Sequence, residues 1–410
     1  MTIERSVLPE QVGFDSKRLA RIDAHFARYV DDGRLPGFQI VVTRDGQVAH
    51  ASTYGQRDVE AGARVEPDTL WRVYSMTKPI TSVAAMMLWE EGRFELTDPI
   101  ERWLPEFENP QVYDKGSALR PYTVPAVEPI RVWHLLTHTS GLTYGFMQTS
   151  VVDALYRAAG YDLYPKAGVD LARACRDWAE LPLLFQPGTA WGYGVSADVL
   201  GRLIEVVSGQ SLAEFFAERI LGPLGMTDTC WWVEPGDASR LAALYVPNPG
   251  TGRVLRYDKL GTQALDKPEM LAGGGGLICS AADYHRFTQM LLNGGWLDDI
   301  RLLSKRTLRF MTRNHLPGGG DLGTLSTGGF AETTLDGVGF GLGFAMVMDP
   351  IPARVPSSVG EYYWGGVAST AFWVDPVERV TAMLFTQLLP SSTYPLRPQL
   401  RQLVYSALVD

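Results

Sequence analysis

The strand-forming stretches of this chain sit near its two ends, and a helix-rich middle separates them. That order constrains the fold more than any single residue does. Leu19, Ile22, Phe26 and Tyr29 recur at three- and four-residue steps and predict a helix over 16–30. Residues 38–43 and 47–54 read as two strands around the turn signal Arg44-Asp45-Gly46. A second helix is predicted over 75–91, with Gly92 as its stop. Pro79 is tolerable only near the start of that helix, where its missing N–H would be unpaired anyway. Helical patterns follow at 151–159, 170–180, 196–208 and 211–221. Strand signals return at 339–348, 361–364, 371–374 and 380–387, and a closing helix is predicted over 396–408. The arrangement implies an α/β (α+β) protein. A sheet-bearing unit would be assembled from 1–95 and 241–410, with a mostly helical unit, 96–240, inserted and the site between them. At 410 residues the chain is long enough for two or three such units.

Charge and cysteine usage narrow the class. The net charge of −9 argues against nucleic acid or an anionic membrane surface as partner. No run of about 18 apolar residues occurs, so no membrane span is expected. The first residues lack a basic start followed by an apolar run, so no signal peptide is expected. Cys175, Cys230 and Cys279 are odd in number and far apart. A disulfide framework and a cysteine metal site are both disfavoured, and a reducing, cytoplasmic setting is expected. The glycine runs at 273–276 and 318–320 lack a following Gly-Lys-Ser/Thr and read as loops, not phosphate cradles.

The chemistry points to Ser75-Met76-Thr77-Lys78. Residues three apart share a helix face, roughly 5–6 Å between Cβ atoms, so the lysine can reach the serine hydroxyl. A partly buried lysine can accept that proton, and a helix N-terminus adds a backbone N–H for developing negative charge. Only seven of the 37 basic residues are lysines, which makes one at this spacing informative. A second candidate is Tyr193 in Pro187-Gly188-Thr189-Ala190-Trp191-Gly192-Tyr193-Gly194, whose phenol could relay a proton to a leaving group. A third is Trp364-Gly365-Gly366, where glycines would let a substrate lie against a strand edge.

In order and spacing these segments resemble the serine β-lactamase and penicillin-binding-protein superfamily, and most of all the family VIII carboxylesterases. The likeness spans Leu35-Pro36-Gly37, LWRVYSMTKPITS around Ser75, LLTHTSGL at 135–142, FQPGTAWGYGVSADVLGRLIE at 185–205 and YWGG at 363–366. The resemblance implies an antiparallel sheet flanked by helices, with an inserted helical domain and no cofactor or metal. It implies Ser75 as acyl-accepting nucleophile, with Lys78 and Tyr193 sharing general-base and general-acid work. The N–H groups of Ser75 and Val367 would form the oxyanion hole, Trp364, Gly365 and Gly366 would line the site, and Tyr144 would point into it. Two positions depart from the β-lactamase pattern: Val195 stands where Tyr-x-Asn has asparagine, and Trp364 stands where the third motif begins with lysine or histidine. Both replace polar groups by apolar ones, and unpaired polar groups in a dry site are costly. An uncharged, short-chain carboxylic ester therefore suits the pocket better than a β-lactam or a cell-wall peptide.

Other readings stay open on the sequence. His134 and His138 have a zinc-compatible i, i+4 spacing, but the glutamate of H-E-x-x-H is missing; they are expected to satisfy backbone groups near Ser140-Gly141. No G-x-S-x-G occurs, although a Ser-His-Asp site could assemble without it, using a residue such as His285 beside Asp283. His285 is otherwise expected to be solvated or capping. A β-lactamase or D-amino-acid peptidase, with a carboxylate clamp from an arginine elsewhere, and an acyltransferase would share the same site. A non-catalytic binding module would have no need to keep Ser75, Lys78 and Tyr193 together.

Overall fold

The computed structural model describes residues 2–163, 166–328 and 335–409. Its main sheet has eight antiparallel strands. In chain order they are β1 (Gly37–Arg44), β2 (Gln47–Asp58), β3 (Ala63–Arg64), β4 (Val338–Phe340), β5 (Ala345–Val347), β6 (Tyr362–Gly365), β7 (Ala371–Asp375) and β8 (Val380–Phe385). In space the order is β4-β5-β6-β7-β8-β1-β2-β3, so the first strand of the chain pairs with the last, Val41 opposite Met383. Side chains alternate across the sheet as the pleat requires. Phe38, Ile40 and Val42 bury against α1 (Ser16–Asp31) and a C-terminal helix, Leu396–Tyr405. Val41, Phe372 and Met383 bury on the opposite face, with Tyr284 and Phe287 from the helix Ala281–Leu292. Each such side chain contributes about 1.5–3 kcal/mol by burial, and a one-residue slip would turn the whole set to the wrong face.

Two helices position the site. In α2 (Thr77–Glu90), residues Thr77 to Leu88 are all buried. A helix apolar nearly all round belongs in the middle of a protein, and it carries Lys78 there. Packed on it is α3 (Ser196–Ser208), which begins just after Tyr193.

Two of the departures from the expected elements bear on the sheet and on the helical middle. The single strand expected over 339–348 is the hairpin β4–β5, turning through Gly341–Gly343. Glycines at 339, 341 and 343 alternate with apolar residues and mimic a strand. At Gly343, however, φ is +94° and a Cβ would lie 2.1 Å from Ser82 Oγ, so the chain must turn there and only glycine fits. Within the helical middle, Gln111–Ser117 and Arg120–Pro125 form a hairpin that no periodicity announces. The second of its strands is exposed along its whole length, so it has no buried face to leave an alternating pattern.

Candidate active site

Ser75 lies in the tight turn Tyr74–Met76 that runs into α2. The approach is anchored: Trp71–Arg72 pairs antiparallel with Ile278–Cys279, and the Tyr284 hydroxyl donates to the Met76 carbonyl at 3.0 Å. Tyr74 takes a left-handed φ of +44°, costly for a bulky residue. The surrounding pairing holds it, and the strain is spent where the chain swings from strand to helix and presents the next residue. Burial pushes the Tyr74 phenol up to about 12.

Lys78 is 2% exposed. Its Nζ donates to Ser75 Oγ at 3.1 Å and to the Gly274 carbonyl at 2.6 Å. It also lies 4.6 Å above the Tyr193 ring and 5.4 Å from the Tyr144 ring. Tyr193 is buried, and its oxygen accepts from Trp364 Nε1 at 3.2 Å. Behind it stand Trp191, stacked at 5.9 Å, and His138, at 5.0 Å. Sequence-remote groups thus converge on Ser75, each held by something other than the substrate.

The segment at 364–366 does a different task from the one expected. Ser75, Tyr144, Tyr193, Val195 and Val367 line a cavity of about 260 Å³, whereas Trp364, Gly365 and Gly366 are absent from its wall. Trp364 instead fixes the Tyr193 oxygen. The two glycines answer to close neighbours: a Cβ at 365 would lie 2.4 Å from the Arg397 guanidinium, and one at 366 would lie 2.3 Å from the Val73 carbonyl oxygen. Arg397 donates to the carbonyls of Gly366 and Thr370, both at 2.8 Å, and so pins the turn that presents Val367. Neither the Ser75 N–H nor the Val367 N–H has an acceptor among the described residues.

The histidines also sort themselves. His134 Nδ1 accepts from the Arg131 N–H at 3.1 Å, a backbone role as expected, and burial holds its ring near a pKa of about 4. His138 does not share that role. Its Nδ1 is buried without a partner among the described residues, and its ring packs among Trp191, Tyr193 and Phe340. Burial, then the charge of Lys78, keeps that ring well below the usual imidazole range. His285 caps no helix end, the helix Ala281–Leu292 being closed by Ser280 and Asn293. It is half-buried in the helix Ala281–Leu292, with Gln289 Nε2 at 3.4 Å from Nδ1, and burial lowers it to about 4. Asp283 accepts from the Asp228 N–H and the Thr229 hydroxyl instead, so no Ser-His-Asp relay forms there. Among the described residues no group of histidine, cysteine and carboxylate side chains could hold a metal.

Sequence reasoning missed Asp198 in α3. Its carboxylate is 4% exposed and accepts from the Gly274 N–H at 2.8 Å, with the Tyr144 hydroxyl facing it. Burial raises the carboxyl above its ordinary range, against the pull of Lys78. Burial and the charge of Asp198 likewise raise the Tyr144 phenol well above the ordinary range. The rest of the cavity is largely aromatic and apolar, with Phe146, Tyr161, Trp231 and Met270 on its walls.

Known proteins share this layout. The model of the family described as Beta-lactamase matches residues 22–406. Esterase EstB of Burkholderia gladioli is 33% identical over 422 aligned positions, covering 98% of this chain and 99% of that protein. Acyltransferase calJ of Penicillium decumbens is 31% identical, covering 84% of this chain and 82% of its own length. Among solved structures, EstCE1, described as a hydrolase with promiscuous acyltransferase activity, superposes with a TM-score of 0.81 at 27% identity, covering 95% of this chain and 99% of that one.

Proposed function

Because this chain belongs to the Beta-lactamase family and sides with its esterases, we propose that it cleaves short-chain carboxylic esters through an acyl-enzyme on Ser75. The observation that carries the proposal is Lys78 Nζ at 3.1 Å from Ser75 Oγ, buried and held from behind by the Gly274 carbonyl. A neutral amine keeps N–H donors for that carbonyl and turns its lone pair to the serine hydroxyl. Ser75 Oγ then attacks the ester carbon while its proton passes to the Lys78–Tyr193 pair. The N–H groups of Ser75 and Val367, without an acceptor among the described residues, receive the oxyanion. Collapse breaks the ester C–O bond, and the departing alkoxide takes the proton back from the same pair. Water repeats the sequence in reverse order, releasing the acid and restoring Ser75.

The walls select the substrate. A cavity of about 260 Å³ is smaller than the roughly 300–1,000 Å³ that holds a drug-sized ligand, which favours a small ester. Val195 has no donor for a side-chain amide, and Trp364 spends its N–H on Tyr193. Arg72, a cation in the wall, gives its Nη atoms to the Ala242 and Gly261 carbonyls and to Gln387. Arg72 keeps only its Nε without a partner among the described residues, and that atom is buried away from the cavity surface, so an uncharged ester fits better than a β-lactam. The sheet-bearing ends and the helical middle are read as two units with this site between them, in a reducing, cytoplasmic setting. The likeness to calJ and EstCE1 favours one further reading, in which an alcohol replaces water as acyl acceptor.

Ser75→Ala tests the assignment. It should abolish turnover of p-nitrophenyl esters while leaving the circular dichroism spectrum unchanged, and a phosphonate should label Ser75 in the wild type. A folded Ser75→Ala protein with near wild-type kcat would sink it. Adding a small alcohol and measuring ester against acid among the products separates transfer from hydrolysis.

A further inference from the structure

Asp198 has no task in the steps above, yet a buried carboxylate is costly unless something pairs with it. It reaches the catalytic amine through a single residue. The N–H of Gly274 donates to Asp198 Oδ1 at 2.8 Å, and the carbonyl of the same residue accepts from Lys78 Nζ at 2.6 Å. One turn along α2 from Lys78, the Thr81 hydroxyl donates to the Gly273 carbonyl at 2.7 Å, so successive carbonyls of this loop are clamped from one helix. A side chain at 274 would push both groups aside: a Cβ there would lie 2.6 Å from Asp198 Oδ2 and 2.9 Å from the Tyr144 hydroxyl. The titratable groups facing Asp198 and its partner amine are Lys78 on α2, Tyr144 and His138 from the segment before α3, Tyr193 at the approach to α3, and Cys175 on the helix Leu171–Ala179. In this set His138 is held well below the usual imidazole range, by burial first and then by Lys78.

We propose that Asp198 is a positioning residue for Lys78, fixing through Gly274 where the amine sits and facing the proton-transfer groups with a buried negative charge. The proposal rests on the reading of Ser75 and Lys78 as nucleophile and base. Asp198 stands in the cavity wall, but its hydrogen-bonded link to the catalytic amine runs through Gly274. Its effect passes through a peptide group, so its removal should slow chemistry without loosening substrate binding. Burial works to neutralise this carboxylate and Lys78 works to keep it ionised, as expected of two groups placed to answer each other.

The test compares Asp198→Ala, Asp198→Asn and Gly274→Ala with the wild type on p-nitrophenyl butyrate, measuring kcat and KM across the pH range with melting curves as a fold check. Misplacing a catalytic group by an ångström costs on the order of 10²-fold, so Asp198→Ala should lower kcat by about that factor with KM nearly unchanged. Asp198→Asn keeps an oxygen for the Gly274 N–H and should recover kcat to within about tenfold of wild type. Removing the negative charge makes the facing groups easier to deprotonate. The acidic limb of kcat/KM should therefore move to lower pH in Asp198→Asn, by about half a unit or more. Gly274→Ala should resemble Asp198→Ala. If alanine and asparagine are equally slow and the limb stays put, Asp198 is only structural. Should Asp198→Ala fail to fold, the asparagine variant alone decides by its limb. Lys78→Ala, run in parallel, separates the two layers. An inactive Lys78→Ala beside a wild-type-like Asp198→Ala overturns only the role of Asp198, whereas an active Lys78→Ala overturns the reading of the site beneath it.

Discussion

The two sides of the site are held in different ways. On one side, Ser75, Lys78, Gly274 and Asp198 are joined atom to atom by hydrogen bonds of 2.6–3.1 Å. On the other, Tyr193 is held mainly by rings, with Trp191, His138 and Tyr144 at centroid distances of 5.0–5.9 Å and the Trp364 indole N–H on its oxygen. Hydrogen bonds are directional and leave buried orphans when broken, whereas ring contacts tolerate small shifts. The polar side should therefore behave as all or nothing, and the aromatic side should grade the rate and choose the substrate.

The largest effect is expected on the polar side. Lys78→Ala should lower kcat for p-nitrophenyl butyrate by about 10²–10⁴-fold. On the proposed mechanism Lys78 and Tyr193 share one proton, so adding Tyr193→Phe should cost much less in that background than in the wild type. Fully additive losses would mean the two groups act separately. Next comes selectivity, which belongs to the aromatic side. The wild type should prefer p-nitrophenyl acetate or butyrate to nitrocefin by at least about 10²-fold in kcat/KM, and Trp364→Lys with Val195→Asn should narrow that gap. A wild-type preference for nitrocefin would show that polar contacts for a β-lactam come from elsewhere.

A smaller effect follows from losing only the indole N–H. Trp364→Phe keeps a ring beside Tyr193 and forfeits one hydrogen bond, worth about 0.5–1.5 kcal/mol, so kcat should fall roughly 2- to 13-fold. A loss as deep as that of Lys78→Ala would erase the contrast between the sides. The last effect is on stability rather than on rate. His134 and His285 sit near a pKa of about 4 in the fold, below the ordinary value of 6.5. Between those values the unfolded chain binds more protons, so stability holds above pH 6.5 and declines as pH falls toward 4. Each should contribute on the order of 1–3 kcal/mol to that decline. Thermal melts of His285→Gln should show a shallower slope than wild type across that window, and an unchanged slope would place the proton uptake elsewhere.

What could be read from the sequence follows the same divide. Ser75 and Lys78 are three residues apart, and a helix turns that spacing into contact. The strands of the central sheet announce themselves through alternation, since each has a face to bury. Gly274 gives no such signal. It lies 196 residues from Lys78 and acts through its backbone, which every residue possesses. Asp198 looks like an ordinary polar residue in the first turn of a helix until the fold brings Gly274 to it. The glycines at 365 and 366 were legible as a place of close approach, but what approaches is Arg397 and Val73, which only the folded chain reveals.

The pairing of β1 with β8 also has a price in time. Thr43 and Thr381, whose hydroxyls meet at 2.6 Å across those strands, are 338 residues apart in the chain. At the usual pace of synthesis, about 5–20 residues per second, β1 waits roughly 17–70 s for its neighbour to be made. Throughout that interval its free edge is a template for any other unpaired strand. A nascent chain cut short before Val380 would carry Ser75, Lys78 and Tyr193 and still lack the strand that covers β1. Such a fragment should be lost to aggregation, with the chemistry complete and the protein not.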